Sequence, residues 1–199
     1  MWFTIGAGAE QYMISYLRGG HSLSKALARS IRPGSGEIGA LLPASADTNR
    51  VLDFESGGLV PRGEPVAIRG RTVEPVYPPY DDLAEYVGAV LREVPGTTCL
   101  AEHFLATPAD PFLTGLPAHV VTLGQEVYFA LAPEDLATTI APYLSWHCTL
   151  GVGSFGKDVF AAETLSPGDV DVFAASSQLV AIPAYDGAGF LVWLRRTSP

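Results

Sequence analysis

The chain of 199 residues is poor in cysteine and in basic side chains. Its two cysteines, Cys99 and Cys148, are too few for a secreted disulfide framework, so we expect reduced, buried thiols in a cytoplasmic protein. Only 12 Lys and Arg stand against 21 Asp and Glu, which gives a net charge of −9. Because binding to a phosphate backbone requires clustered basic side chains, we expect no nucleic-acid partner.

The sequence also lacks the long hydrophobic run that crosses a membrane. Its longest stretch without a formal charge, Leu136–Gly156, contains Pro142, His147 and three glycines, a composition typical of a buried core segment. Residues 1–6 are apolar, but they have no basic lead and no long apolar region, so no signal peptide is predicted. We therefore expect no membrane partner.

The chain is rich in apolar residues, which make up 48% of the sequence. At this length the composition predicts one folded domain over 1–199, with a helical subregion over 1–35 as an option. The charge is uneven, since residues 1–40 carry +2 and residues 73–199 carry −11. This acid surplus either keeps the chain in solution or steers a cationic partner toward the acidic part.

Helices are predicted where apolar residues recur three and four positions apart between start and stop signals. Four segments have such a pattern or such ends: Glu10–Leu17, Ser22–Ile31 with a Ser cap, Tyr80–Val94 and Pro133–Leu144. Asp81 and Asp82 open the third segment, where the helix dipole favours carboxylates.

Short runs rich in β-branched and aromatic residues predict strands through much of the remaining sequence. They are Arg50–Phe54, Val66–Arg69, Thr98–Leu105, His119–Leu123, Glu126–Leu131, Ser145–Gly151, Asp169–Ala174, Gln178–Ile182 and Phe190–Leu194. Tyr185–Gly189 is predicted to be a hairpin turn. The expected fold class is α+β, with a largely antiparallel sheet of short strands packed against two to four helices.

Two segments, Glu55–Pro65 and Thr107–Pro117, are predicted to be loops because they are rich in Gly and Pro. The first contains Leu-Val-Pro-Arg-Gly at 59–63, which resembles a thrombin recognition sequence and predicts an exposed, cleavable tip.

A glycine-rich string runs from Gly151 to Lys157 and resembles the glycine-rich loop of protein kinases. Glycines allow backbone amides to approach a phosphate closely, which is the chemistry that this resemblance implies. Only 43 residues follow Gly156, which leaves no room for the rest of a kinase. A glycine-rich strand end or turn is the alternative interpretation.

The segment His147-Cys148-Thr149-Leu150 resembles the H-x-T-x motif of two-histidine phosphoesterases. In that family two such motifs place two imidazoles across a phosphodiester, one as base and one as acid. His119 and His103 are the candidates for the second imidazole, although neither is followed by Thr at the family's spacing. The alternative is a half-buried strand with a satisfied histidine.

The remaining candidates are thiols and acidic or aromatic surface groups. A thiolate at Cys148 would need an imidazole across strands, such as that of His103, because neighbours along a strand point to opposite faces. The spacing of His and Cys predicts no metal site, and no cofactor is expected. The candidate binding residues are the acids Asp81, Asp82, Asp169 and Asp171 and the aromatic residues Tyr77 and Tyr80.

Two functions from different classes follow. The first is a non-catalytic acidic binding or inhibitor protein that covers a basic protein partner, as bacterial immunity proteins do. The second is a small hydrolase or phosphoesterase-like enzyme centred on His147, with Thr149 and with His119 or His103. The sequence does not indicate an oligomeric state.

Overall fold

The computed structural model of the chain describes residues 2–5, 7–41, 50–52, 59–61, 66–68, 71–73, 98–103, 118–132, 135, 148–184 and 189–195. These residues contain three helices: α1 (Ala7–Arg18), α2 (Ser22–Ser30) and α3 (Pro167–Ser176). They also contain twelve strands: β1 (Trp2–Ile5), β2 (Gly36–Leu41), β3 (Arg50–Leu52), β4 (Leu59–Pro61), β5 (Val66–Ile68), β6 (Arg71–Val73), β7 (Thr98–His103), β8 (Ala118–Leu123), β9 (Glu126–Leu131), β10 (Cys148–Gly153), β11 (Leu179–Ala184) and β12 (Gly189–Arg195).

Eight of the strands form one sheet in the order β1-β2-β12-β11-β10-β7-β9-β8. Every strand pairing within it is antiparallel. The strands β3 and β4 form one separate antiparallel pair, and β5 and β6 form another. The predicted α+β class with a largely antiparallel sheet is therefore confirmed, and the three described helices fall within the predicted number.

The helices pack on one face of the sheet, where large side chains fill the space between the layers. Met13 and Leu17 of α1, Leu27 of α2 and Phe173 of α3 are fully buried in one cluster with Trp193 of β12. The opposite face of the central strands is buried too, since Cys99, Leu150, Phe129, Leu179 and Val192 have no exposed surface. None of the three described helices is long and apolar enough to cross a bilayer.

The helix α2 matches the predicted segment Ser22–Ile31, but its cap differs from the prediction. Ser22 is the first helical residue, and the N-cap position belongs to His21, whose side chain makes no capping hydrogen bond. The amides at the start of the helix, which have no partner within the helix, instead bond to carboxylates from the sheet. A tertiary contact has taken the place of the predicted local Ser cap.

The helix α3 corrects the predicted strand Asp169–Ala174. Ser166 accepts a hydrogen bond from the Asp169 amide, and the Asp169 carboxylate accepts one from the Ser166 amide, which together make a capping box. Pro167 occupies the first turn, where its missing N–H costs nothing. The alternation of Asp and Val through 169–172 suggested a strand, but the start signals in front of it decide for a helix.

The ends of the other elements agree with the predictions to varying degrees. The strand β9 has the predicted bounds, and Ala184 pairs with Gly189 across the predicted hairpin. The strand β10 ends two residues later than predicted, at Gly153. The strands β1, β2, β4 and β6 were not predicted, and β4 lies inside the expected loop Glu55–Pro65, where it pairs with β3. The predicted helices at 80–94 and 133–144 and the loop at 107–117 lie almost entirely outside the described residues.

Candidate functional site

A row of polar side chains crosses the helix-facing side of the sheet beneath the start of α2. In the strand register Glu102 of β7 lies directly opposite Thr149 of β10 and also opposite Tyr128 of β9. Glu102, Thr149 and Tyr128 are all fully buried. Two residues from Tyr128 along β9, Glu126 lies at the solvent end of the same face.

The Glu102 carboxylate binds the first turn of α2. Oε1 accepts hydrogen bonds from the His21 amide at 2.8 Å and from Ser24 Oγ at 2.9 Å, and Oε2 accepts one from the Ser24 amide at 2.9 Å. Ser24 Oγ is also hydrogen-bonded to Thr149 Oγ1 at 2.9 Å. Burial raises the pKa of Glu102 above its ordinary value, although the hydrogen bonds from Ser24 and His21 oppose this.

A glycine permits this close approach between the helix and the strand. A Cβ at Gly20 would lie 2.4 Å from Ser24 Cβ and 3.1 Å from Glu102 Oε1. Side-chain carbon atoms cannot approach that closely, so Gly20 lets the turn between α1 and α2 fit against the carboxylate.

Glu126 binds the same helix end from the next strand. Its Oε2 accepts hydrogen bonds from the Ser22 amide at 3.2 Å and from the Tyr128 hydroxyl, and its Oε1 lies 3.6 Å from His21 Nδ1. Partial burial disfavours ionisation of Glu126, but the hydrogen bonds from Tyr128 and Ser22 outweigh it and lower its pKa. Burial and the bond to Glu126 raise the pKa of Tyr128.

We define the α2 cap cluster as six residues: His21, Ser24, Glu102, Glu126, Tyr128 and Thr149. They differ in their access to solvent. The side chains of His21 and Glu126 are 40% and 25% exposed, whereas Glu102 and Thr149 are fully buried. The cluster is completed by Ser24 and Tyr128, both fully buried. Two carboxylates therefore accept hydrogen bonds from three amides at the helix start, and within the cluster only the outer His–Glu pair contacts water.

The structure describes only part of the predicted catalytic set. Thr149 is buried beneath Ser24, and His147 lies outside the described residues. The backbone of His103 lies directly opposite Cys148, as a pairing across strands requires. His119 is on β8, three strand spacings from β10, or about 14 Å, and its Nε2 is hydrogen-bonded to the Ala162 carbonyl at 2.7 Å.

The predicted acidic binding residues that the structure describes both take part in contacts within the fold. Asp169 belongs to the capping box of α3 and is bonded to Lys157 Nζ at 2.7 Å. The hydrogen bond from Lys157, with those from Ser166, lowers the pKa of Asp169 to about 2. Asp171 forms an exposed ion pair with Arg29 at 2.7 Å. The other predicted binding residues, Tyr77, Tyr80, Asp81 and Asp82, lie outside the described residues.

The glycine-rich string serves the packing of α3 on β10. A Cβ at Gly151 would lie 2.8 Å from the Phe173 ring, and one at Gly153 would lie 2.9 Å from the Phe173 carbonyl oxygen. Both glycines lie in a regular strand, and Lys157, the cation that follows them, is paired with Asp169. These positions correspond to the predicted alternative, a glycine-rich strand end.

An exposed surface lies at the outer edge of the sheet and was not predicted. Phe160 is 41% exposed beside the His119 ring, with 6.3 Å between ring centres, and Val120 is 36% exposed. Asp158 and Glu163 are exposed on the same segment as Phe160. We call these five residues the β8 edge surface. The only sequence signal was an apolar residue flanked by acids in a segment without predicted structure.

Comparisons of the chain with family models, with curated proteins and with solved structures find no match. Within the described ranges, no three His, Cys, Asp or Glu side chains are grouped so that they could hold a metal ion.

Proposed function

We propose that this chain is a non-catalytic acidic binding or inhibitor protein of the immunity-protein type, and that it engages a basic protein partner. The observation that carries the proposal is the β8 edge surface, where exposed carboxylates adjoin exposed apolar side chains. Interfaces combine apolar and aromatic anchors with a polar rim, and opposite charge steers association. The net charge of −9 supports a cationic partner.

The α2 cap cluster supports the same function, because its buried polar groups have a structural role. Two of its polar groups, Glu102 and the predicted catalytic residue Thr149, are buried and hydrogen-bonded to the first turn of α2. Their environment is accounted for by helix capping, which leaves the exposed acids as the groups available to a partner.

The proposal is tested by selecting ligands for the full chain from a random-peptide display library. We expect the recovered peptides to carry net positive charge and to bind about tenfold more weakly when salt rises from about 50 to about 300 mM. Recovery of neutral or acidic peptides, or an affinity that salt leaves unchanged, would contradict the proposal.

A small hydrolase or phosphoesterase-like enzyme centred on His147 remains the second candidate. It rests on the resemblance of His147-Cys148-Thr149-Leu150 to the H-x-T-x motif, since the strand register places His103 opposite Cys148 and not opposite Thr149, and so does not favour His103 as the second imidazole. Turnover of bis(4-nitrophenyl) phosphate that is lost in His147→Ala and kept in His119→Ala would establish this enzyme and overturn the binding function. Equal, background rates for all three proteins would remove the enzyme.

A further inference from the structure

The strand β8 ends the eight-stranded sheet, so one of its two sides faces away from the other strands. Its inner side pairs with β9 from Ala118 to Leu123. On the outer side the Thr122 amide donates to the Glu163 carbonyl at 3.1 Å, and the Leu165 amide donates to the Thr122 carbonyl at 2.7 Å. The backbone groups of Thr122 therefore point outward.

The outward direction repeats at every second residue of an antiparallel strand. The N–H and C=O groups of Ala118 and Val120 consequently face the same side as those of Thr122. Among the backbone hydrogen bonds between described residues, those on this side involve Thr122 alone. The segment 163–165 thus covers one end of the edge, and Val120 at the other end is exposed.

The side chains beside this open stretch offer apolar contacts on both faces of the sheet. Val120 lies on the face opposite buried Val121, and Phe160 stacks at a tilt of 54° near His119 on the helix-facing side. A strand added here would alternate its side chains between the two faces, so it would contact Val120 with one set and Phe160 with the other. Glu163 and Asp158 add negative charge beside it.

We propose that the outer edge of β8 at Ala118–Val121 binds an extended segment of the basic partner by strand addition, in which backbone hydrogen bonds extend the sheet. The inference rests on the proposed function, since it takes the partner from there and assigns its place. The occupant is a segment in which apolar residues alternate with Lys or Arg, because apolar side chains suit Val120 and Phe160 and cations suit the neighbouring acids.

Charge favours this occupant over a second copy of the chain. Two copies joined along β8 would bring Asp158 and Glu163 of one near those of the other, within two molecules of net charge −9. Like charges at such close range destabilise an association, and acidic edges discourage pairing of identical sheets.

The experiment uses two synthetic peptides of about nine residues, one alternating Val with Lys and the other alternating Val with Glu. Binding to the full chain is measured by fluorescence anisotropy. The variant Val120→Pro removes the outward amide without touching the inner bonds to β9, and Val120→Thr, the matched control, keeps that amide. We expect the Lys peptide to bind the unsubstituted chain and Val120→Thr, and to bind Val120→Pro about tenfold more weakly.

A second measurement does not depend on the proline variant being folded. Amide hydrogen exchange of Val120 in the unsubstituted chain should slow when the Lys peptide is added, while that of Val121, which faces the paired side, should not change. An unchanged Val120 amide, or equal binding to Val120→Pro and Val120→Thr, overturns the assignment to β8 and leaves the acidic binding function intact. Equal binding of the Lys and Glu peptides overturns the acidic binding function itself.

Discussion

The α2 cap cluster and the β8 edge surface lie in the same half of the sheet and use their polar groups in opposite ways. In the cap cluster, Glu102 is fully buried and accepts three hydrogen bonds from His21 and Ser24. At the β8 edge, Val120 and Phe160 are exposed, and the outward backbone groups of Ala118 and Val120 lie beyond the segment that covers Thr122. The comparison teaches that a buried, fully hydrogen-bonded carboxylate stabilises the fold, whereas an exposed carboxylate is available to a partner.

Replacing Glu102 with Ala is the strongest test of the first half of this comparison. The substitution leaves the buried Ser24 amide and the partly buried His21 amide without an acceptor, so we expect a loss of about 3 kcal/mol or more in the free energy of unfolding. Urea denaturation followed by circular dichroism measures the loss. Glu163→Gln, which removes an exposed carboxylate at the β8 edge, is the control and should change stability by less than about 0.5 kcal/mol. A loss for Glu102→Ala as small as that of the control would show that the Glu102 carboxylate does not stabilise the fold.

The two ends of the glycine string allow a second comparison between buried and exposed positions. Gly151→Ala places a Cβ 2.8 Å from the Phe173 ring, while a Cβ at Gly156 has no atom within 4 Å. We expect Gly151→Ala to lower the free energy of unfolding by about 2 kcal/mol, as overpacking does, and Gly156→Ala to leave it nearly unchanged. Thermal melts of the pair decide. A destabilised Gly156→Ala would indicate that the string has a backbone requirement beyond packing.

The carboxylates of Asp169 and Asp171 contribute differently to stability, and lowering the pH distinguishes the two contributions. The pKa of Asp169 is lowered to about 2 by Lys157 and Ser166, so its ionised form stabilises the folded state at neutral pH. That contribution is complete above the ordinary Asp pKa and is lost as pH falls from about 4 through about 2. Asp169→Asn should therefore cost about 1 kcal/mol at pH 7, typical of a lost capping interaction, and the difference should close toward pH 2.

The control for this titration is Asp171→Asn, which breaks the exposed ion pair with Arg29. Exposed pairs contribute little, so we expect a small difference at every pH. Unfolding free energies measured at several pH values test both variants. If the difference in unfolding free energy for Asp169→Asn persists at pH 2, the loss comes from the capping hydrogen bond and not from the charge of the carboxylate.

Much of the fold could be predicted from local signals, but the cap cluster could not. The α2 segment and β9 follow from apolar periodicity within a short stretch, and the structure has both. Glu102 bonds to His21 and Ser24, which are 81 and 78 residues away along the chain, and no local pattern brings these residues together. The one available signal was a carboxylate among apolar residues of a predicted strand, a position where charges are rarely buried without partners.

The error at α3 has a related cause. Alternation through 169–172 is a genuine strand signal, but it covers only four residues, while Ser166, Pro167 and Asp169 together form a helix start. The β8 edge could not be predicted from the sequence for another reason. The exposure of Val120 depends on the position of β8 in the strand order. Sequence periodicity places a residue on a face of a strand, and it does not say whether that strand has a neighbour on both sides.

The smallest expected effect on stability is also the sharpest test of the second half of the comparison. Phe160→Ser removes a ring that is 41% exposed and rests near His119, so the free energy of unfolding should fall by no more than about 1 kcal/mol. Binding of the Val and Lys peptide should nevertheless weaken about tenfold, because an aromatic anchor at an interface contributes more than its neighbours. Val172→Ser on α3, which is 52% exposed but far from β8 in the chain, is the matched control and should leave the affinity unchanged. If both variants lower the affinity for the peptide equally, the peptide binds exposed apolar side chains without preference for the β8 edge. If neither variant lowers it, Phe160 is not the apolar anchor, and only the backbone edge and the acids remain to hold the partner.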